Sequence, residues 1–272
     1  MSVGHYENFP VGSVLLPQRL RHPVAVIYRF ARTADDFADE DALPAEARLS
    51  QLEAYRSELG HLQQNRPPKT PLFHALAGVV QAHELPLQPF FDLLDAFSQD
   101  VTKSRYANFA EVMDYCRRSA DPIGRLMLHL YRAASDENLS QSDEICSALQ
   151  LINFWQDVAL DYRKDRIYIP QDELARFGVG EHHIAAHDTG RRWSELMRFQ
   201  TGRARAMLES GAPLALRLRG RIGLELRMMV QGGLRVLEKL DAVRGDVFRS
   251  RPVLRALDWP LMMIRAIGMG MR

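Results

Sequence analysis

Apolar residues return every three or four positions along most of this chain. Leu49, Leu52, Tyr55 and Leu59 make one such series, Leu72, Leu76, Val79 and Val80 a second, and Phe90, Leu93, Leu94 and Phe97 a third. Leu126, Leu128, Leu130 and Tyr131 belong to a further segment of the same kind. The spacing follows the turn of an α-helix and gathers each series onto one stripe that can be buried. Longer helices are predicted over 143–163, 188–210 and 221–241. Pro44, Pro67-Pro68, Pro71, Pro86, Pro122, Pro170 and Gly211-Ala212-Pro213 punctuate the pattern as turns. Pro44-Ala45-Glu46 and Pro170-Gln171-Asp172-Glu173 read as helix starts, where proline lacks only a redundant N–H and early carboxylates meet the positive end of the helix dipole. Alternation of period two is scarce, so the expected fold is all-α, as a single domain over 1–272.

Composition narrows the function. With 272 residues, 46% hydrophobic and 25% charged, the chain can bury a substantial core. Its net charge of +1 gives no electrostatic footprint for nucleic acid. Cys116 and Cys146 form no CxxC pair and no disulfide framework, and are expected to act as small buried hydrophobes in a reducing compartment. No basic stretch leads into an apolar one at the N-terminus, and no apolar run is long enough to cross a bilayer, so the expectation is a cytoplasmic protein. The segment 257–272 is apolar with sparse charge, and fits either a packed final helix or a helix lying on the inner face of a membrane.

Two acidic segments carry the candidate chemistry. In Ala31–Glu40, Asp35 and Asp39 stand four apart and share a helix face, with Asp36 beside them. In the second segment Asn153, Asp157 and Asp161 form a stripe over two turns, followed by Arg163 and Arg166. Either stripe alone is equally a solvated helix face. Both, however, lie among apolar neighbours: Tyr28, Phe30, Ala34, Phe37 and Ala38 in one case, Leu149, Leu151, Ile152, Phe154 and Trp155 in the other. Stacked carboxylates in such surroundings repel one another and lose hydration unless cations neutralise them. Oxygen donors of this kind suit Mg²⁺, which keeps its waters and favours substrate phosphates over an all-protein cage. His182, His183 and His187 offer no third spaced ligand, so zinc is not expected there.

These motifs resemble those of the squalene/phytoene synthase family of trans-isoprenoid synthases, in family order and over nearly the whole chain. The likeness runs through Asn8–Pro17, Ile27–Glu40, Tyr115-Cys116, and the stretch from Ala148 to Asp161, Arg163, Arg166 and Ile167-Tyr168-Ile169-Pro170. It implies a helical terpenoid-synthase bundle around a cavity. Mg²⁺ would be held by Asp35, Asp36, Asp39, Asn153, Asp157 and Asp161, and a prenyl diphosphate would be the substrate. Arg32, Arg163, Arg166, Tyr168 and Asn8 would bind the diphosphate, although Arg163 and Arg166 also suit plain helix C-terminal cations. Gln150 would face the reacting carbons or serve as a buried structural amide. Phe9, Phe30, Phe37, Phe154 and Trp155 would line an apolar tunnel or simply fill the core.

The chain is most similar to the branch that forms hydroxysqualene, through Glu7–Val11, Phe30–Asp36 and Tyr115–Gly124. Where many family members carry a tyrosine and small apolar residues, this chain has Arg117-Arg118-Ser119-Ala120-Asp121-Pro122. That departure implies ionisation of presqualene diphosphate with capture of the cation by water, Arg117 either bordering the cavity or standing in a solvated turn. Condensation of two molecules such as farnesyl diphosphate, to presqualene diphosphate, dehydrosqualene or phytoene, is the alternative. A non-catalytic scaffold would be expected to lose carboxylates that are all present here. Other enzymes of squalene synthesis are the expected partners, and a second departure, near Gly233, replaces a pocket tyrosine of many relatives.

Overall fold

The computed structural model describes residues 15–40, 42–249 and 251–270. Among them the order is α1 (Gln18–Asp39), α2 (Ala45–Gln63), α3 (Pro71–His83), α4 (Gln88–Thr102), α5 (Phe109–Ser119), α6 (Asp121–Leu130) and α7 (Asp136–Arg163). Then follow α8 (Gln171–Arg176), α9 (Glu181–Ala185), α10 (Arg191–Gly211), α11 (Pro213–Arg217), α12 (Gly220–Ala242) and α13 (Asp258–Met269). The only strand-like pairing among the described residues is an isolated bridge between Arg105 and Ile167. The all-α expectation is therefore met. Proline starts α2 and α8 as the sequence indicated, Pro44 and Pro170 standing at the N-caps. One boundary differs: α7 begins at Asp136, earlier than 143, because Asp136–Ser142 is polar and hides the period while its early carboxylates favour the helix start.

The contacts of the chain gather into two compact units. The first reaches Lys103 and resumes over Arg117–Leu139; the second comprises Ser104–Cys116 and the chain from Ser140 onward.

In the first unit α1 packs on α2, α3 and α4, and α4 on α6. Phe30, fully buried, sets its ring edge-on to Phe73 (5.8 Å) and Phe90 (5.2 Å), and lies 5.7 Å from Tyr55. Edge-to-face pairs of this kind add to the burial of the rings themselves. Phe30 thus belongs to the core and lines no tunnel. Phe37 meets Tyr55 at the rim of the same cluster.

In the second unit α12 packs against α10, α11 and α13. Gly233 marks a close approach of α12 to its neighbours. A Cβ there would come within 2.8 Å of both Leu149 of α7 and Leu208 of α10, so the backbone of α12 reaches its neighbours only because the side chain is missing. The residues after α7 are held by Ser104–Ala107, through Ile167 N–H to Ser104 O (2.9 Å) and Gln171 N–H to Tyr106 O (2.9 Å). Arg105 clamps the same region by donating to Glu181 (2.8 Å) and Asp165 (2.7 Å). Its guanidinium holds the Glu181 carboxyl below the usual range, against the opposing effect of burial. Deeper in this unit Arg203 forks onto Glu173 (2.7 and 2.8 Å) while Gln200 donates to the same carboxylate (2.6 Å), which satisfies a buried charge.

Candidate active site

The first acidic stripe lies on the last two turns of α1. Ala34 and Ala38 are buried, whereas Arg32, Asp35 and Asp39 are half-buried and Asp36 is exposed. Arg32 bridges two of the carboxylates, at 3.4 Å to Asp35 and 2.5 Å to Asp36. The structure thus brings together three of the residues picked out in this segment. Arg32 is thus held between two acids of its own helix.

The second stripe lies on the C-terminal half of α7. Asn153 and Asp161 are half-buried, and Asp157 between them is only 8% exposed. Arg251, in the connection between α12 and α13, turns its Nε toward one oxygen of Asp157 and its Nη2 toward the other at 3.2 Å. One residue away on each segment, Gln156 Nε2 donates to the carbonyl of Pro252 (2.5 Å). Adjacent positions of α7 therefore pin the connection, one by charge and one by amide. Beneath the stripe Phe154 and Tyr168 stack in parallel, centroids 3.7 Å apart and planes within 6°, with Tyr106 and Tyr115 packed around them. Trp155, the next residue, is fully buried with its ring edge-on to Phe154 (centroids 6.5 Å).

The remaining expectations divide. Gln150 and Arg166 are half-buried on and just after α7. Arg163 is exposed and donates to the carbonyl of Ala159 one turn back (3.2 Å), as a helix C-terminal cation does. Arg117 is exposed at the end of α5, and Arg118 donates to Gln99 (2.6 Å). Asn8 and Phe9 lie outside the described residues. His183 accepts the Gly180 N–H (2.9 Å), and His187 stacks on Phe248 (5.0 Å), which gives both histidines structural work.

Arg251 is the residue that reading the sequence missed. It lies 94 positions from Asp157, in a turn with no periodic signal, and nothing in local spacing connects the two.

No three His, Cys, Asp or Glu side chains among the described residues converge as a ready-made metal cage. The donor set nonetheless fits Mg²⁺. Asp157 is a buried carboxylate already compensated by a cation, and the flanking Asn153 and Asp161 add hard oxygen donors, leaving coordination to be completed by waters and phosphate.

An all-helical chain with such stripes falls in the class of isoprenoid synthases. The family model for squalene/phytoene synthase matches residues 3–258, and the chain belongs to that family, whose members bind prenyl diphosphates. It is 34% identical over 266 residues to a hydroxysqualene synthase of Rhodopseudomonas palustris, an alignment that covers 96% of this chain and 88% of that one. It is 32% identical over 203 residues to a phytoene synthase of Mycobacterium tuberculosis, covering 72% and 65% respectively. Among solved structures, squalene synthase HpnC from Alicyclobacillus acidocaldarius superposes with a TM-score of 0.82 at 34% identity, covering 88% of this chain and 90% of that one.

Proposed function

We propose that this enzyme converts presqualene diphosphate and water to hydroxysqualene and diphosphate. The observation that carries the reading is the stripe of Asn153, Asp157 and Asp161, whose buried central carboxylate is compensated by a guanidinium, taken with the aspartates of α1. Such carboxylates are costly inside a protein unless they hold cations. In this reading the chain works as one isoprenoid synthase domain. Asp35, Asp36 and Asp39 act with Asn153, Asp157 and Asp161 to hold Mg²⁺, which when bound offsets the charge that gathers on the leaving diphosphate. Arg32, Arg163, Arg166 and Tyr168 bind that diphosphate, with Asn8 and Phe9 completing the substrate contacts. Gln150, one turn before Asn153, faces the reacting carbons.

Loss of diphosphate breaks the C–O bond, and the electron pair leaves with the oxygen. The cyclopropylcarbinyl cation rearranges, a water oxygen forms the new C–O bond, and that water gives up a proton. No reductant enters the balance. In this reading the segment Arg117–Pro122 admits the water that captures the cation. The likeness to hydroxysqualene synthases over nearly the whole chain points the same way.

Condensation of two prenyl diphosphates is the second reading, favoured by the likeness to phytoene synthases. Purified protein given Mg²⁺ and presqualene diphosphate in ¹⁸O-labelled water distinguishes them. Labelled hydroxysqualene formed without reductant is expected; a hydrocarbon product, or an unlabelled alcohol, overturns the first reading. In keeping with so apolar a product, the enzyme acts in the cytoplasm at the inner face of a membrane, beside other enzymes of squalene synthesis.

A further inference from the structure

The last helix is apolar on two sides and packed on one. Met262 and Ala266 of α13 are buried against α12, where Met228 and the bare backbone at Gly232 receive them, with Leu224 and Leu254 around the contact. Its other side carries Trp259 (56% exposed), Ile264 (69%) and Ile267 (51%), preceded by Leu257 (90%). Met263 is also exposed (37%), so Trp259, Met263 and Ile267 recur four apart with Ile264 three before Ile267, and together they form one outward face. Most of the large exposed hydrophobic residues among those described fall in this short segment. Scattered exposed apolar side chains are ordinary, but a contiguous set on one helix face marks a surface that meets something apolar.

Charge says what that partner is. The single acid between 251 and 270 is Asp258, 4% exposed and consumed by Arg235 (2.7 Å), Lys239 (2.5 Å) and the N–H of Arg255 (2.6 Å). Glu238, which pairs with α13, is held by Arg235 (2.7 Å) and Arg265 (2.5 Å). The outward charge is cationic: Arg255 is exposed beside Leu257, while the half-buried Arg265 is paired with Glu238. A second copy of the chain offers the same exposed arginine on this face and no exposed carboxylate to meet it. An anionic bilayer offers both an apolar layer and negative headgroups. Twelve residues of helix span roughly 18 Å, short of the ~30 Å of a bilayer core, so α13 can lie in the interface but not cross it. Trp259 near the start of the helix suits the headgroup boundary, where an apolar ring with one polar N–H is at home.

We propose that the outer face of α13 docks the enzyme onto an anionic phospholipid surface, with Trp259, Ile264 and Ile267 inserted among the acyl chains and Arg255 at the headgroups. The proposal deepens the reading of an enzyme with an apolar product, yet its test needs neither substrate nor turnover.

Trp155 and Trp193 are buried, so Trp259 is the tryptophan whose fluorescence can respond to a surface. The full-length protein is titrated with vesicles of phosphatidylcholine alone and of phosphatidylcholine with phosphatidylglycerol, following emission and co-sedimentation. A blue shift with anionic vesicles, quenching by brominated acyl chains, and loss of the shift in Trp259→Phe are expected. Ile264→Asp with Ile267→Asp should lower partitioning at least about tenfold while the circular dichroism is kept. Co-sedimentation with no change at Trp259, or undiminished binding by a folded double variant, overturns the proposal. So does a wild-type dimer that these substitutions dissociate, since a second copy would then cover the face. Because the fluorescence arm uses the native chain, a double variant that fails to fold does not spare the proposal. A chain that binds vesicles but yields no hydroxysqualene would refute the catalytic reading and leave the docking face standing.

Discussion

Arg251 and Asp157 form a two-pronged ion pair across 94 positions of sequence, and Asp157 is the most deeply buried member of the acidic stripe on α7. The pair explains how an isolated carboxylate is tolerated there: a guanidinium supplies the charge that burial would otherwise forbid. It also sets a competition. In this reading a metal ion taking the Asp157 oxygens displaces or shares Arg251, so the energy of the pair is part of what metal binding must match.

Replacing Arg251 with Gln should leave Asp157 without its compensating cation. With the arginine side chain 27% exposed and the aspartate 11%, the expected loss of metal-free stability is about 2 kcal/mol, less than for a fully buried pair. Thermal unfolding measured with and without Mg²⁺ checks this. The variant should melt lower than the native protein without metal and recover more on addition of Mg²⁺. Equal melting temperatures without metal would show that the pair contributes nothing.

Asp35→Ala removes a half-buried carboxylate whose ion partner, Arg32, retains Asp36. The fold should therefore survive, with a melting temperature within a few degrees of native, while turnover of presqualene diphosphate, the substrate proposed above, falls at least roughly a thousandfold. Asp157→Ala should abolish turnover too, but with a larger loss of stability, because it strands Arg251. Full activity of either variant in single-turnover assays would remove that aspartate from the mechanism.

Tyr168 has two separable parts, a ring stacked on Phe154 and a hydroxyl proposed to face diphosphate. Tyr168→Phe keeps the stack, so stability should change by only about 1 kcal/mol while kcat drops if the hydroxyl serves the leaving group. Tyr168→Ala removes the ring and should cost about 3–5 kcal/mol, as large-to-small changes in a core do. Denaturant unfolding alongside steady-state kinetics separates the two effects.

Asp258 is held well below the ordinary aspartate value of 3.8 by the side chain of Lys239, the backbone of Arg255 and the side chain of Arg235. A carboxyl depressed in the folded state contributes stability that is present above its unfolded value and lost as pH falls through the folded one. The tie at the start of α13 should therefore persist through mild acidification to pH about 4. Hydrogen exchange of the first turns of α13 should stay protected over that range, and Asp258→Asn should lose protection already at neutral pH. An unprotected native helix at pH about 5 would contradict the assignment.

Local order was legible in the chain because helix formation is local. The period of the apolar residues, the prolines at the starts of α2 and α8, and the four-residue spacing of Asp35–Asp39 and of Asn153–Asp157–Asp161 all follow from the geometry of one turn. The same spacing made family membership legible, since motifs in order along the chain need no folding to be compared. What tertiary structure alone decided are the relations that chain reversal creates. Aromatic spacing could not say that Phe30 is enclosed by Phe73 and Phe90, or that Phe154 finds Tyr168, because burial depends on which helices pack. The run 257–269 left packed and outward readings both open, and the fold divides them, with Met262 and Ala266 on α12 and Trp259, Ile264 and Ile267 facing away. Arg251 carried no signal at all, for a lone arginine in a turn acquires its meaning only when folding sets it beside a buried aspartate, where low polarity makes the opposite charge necessary.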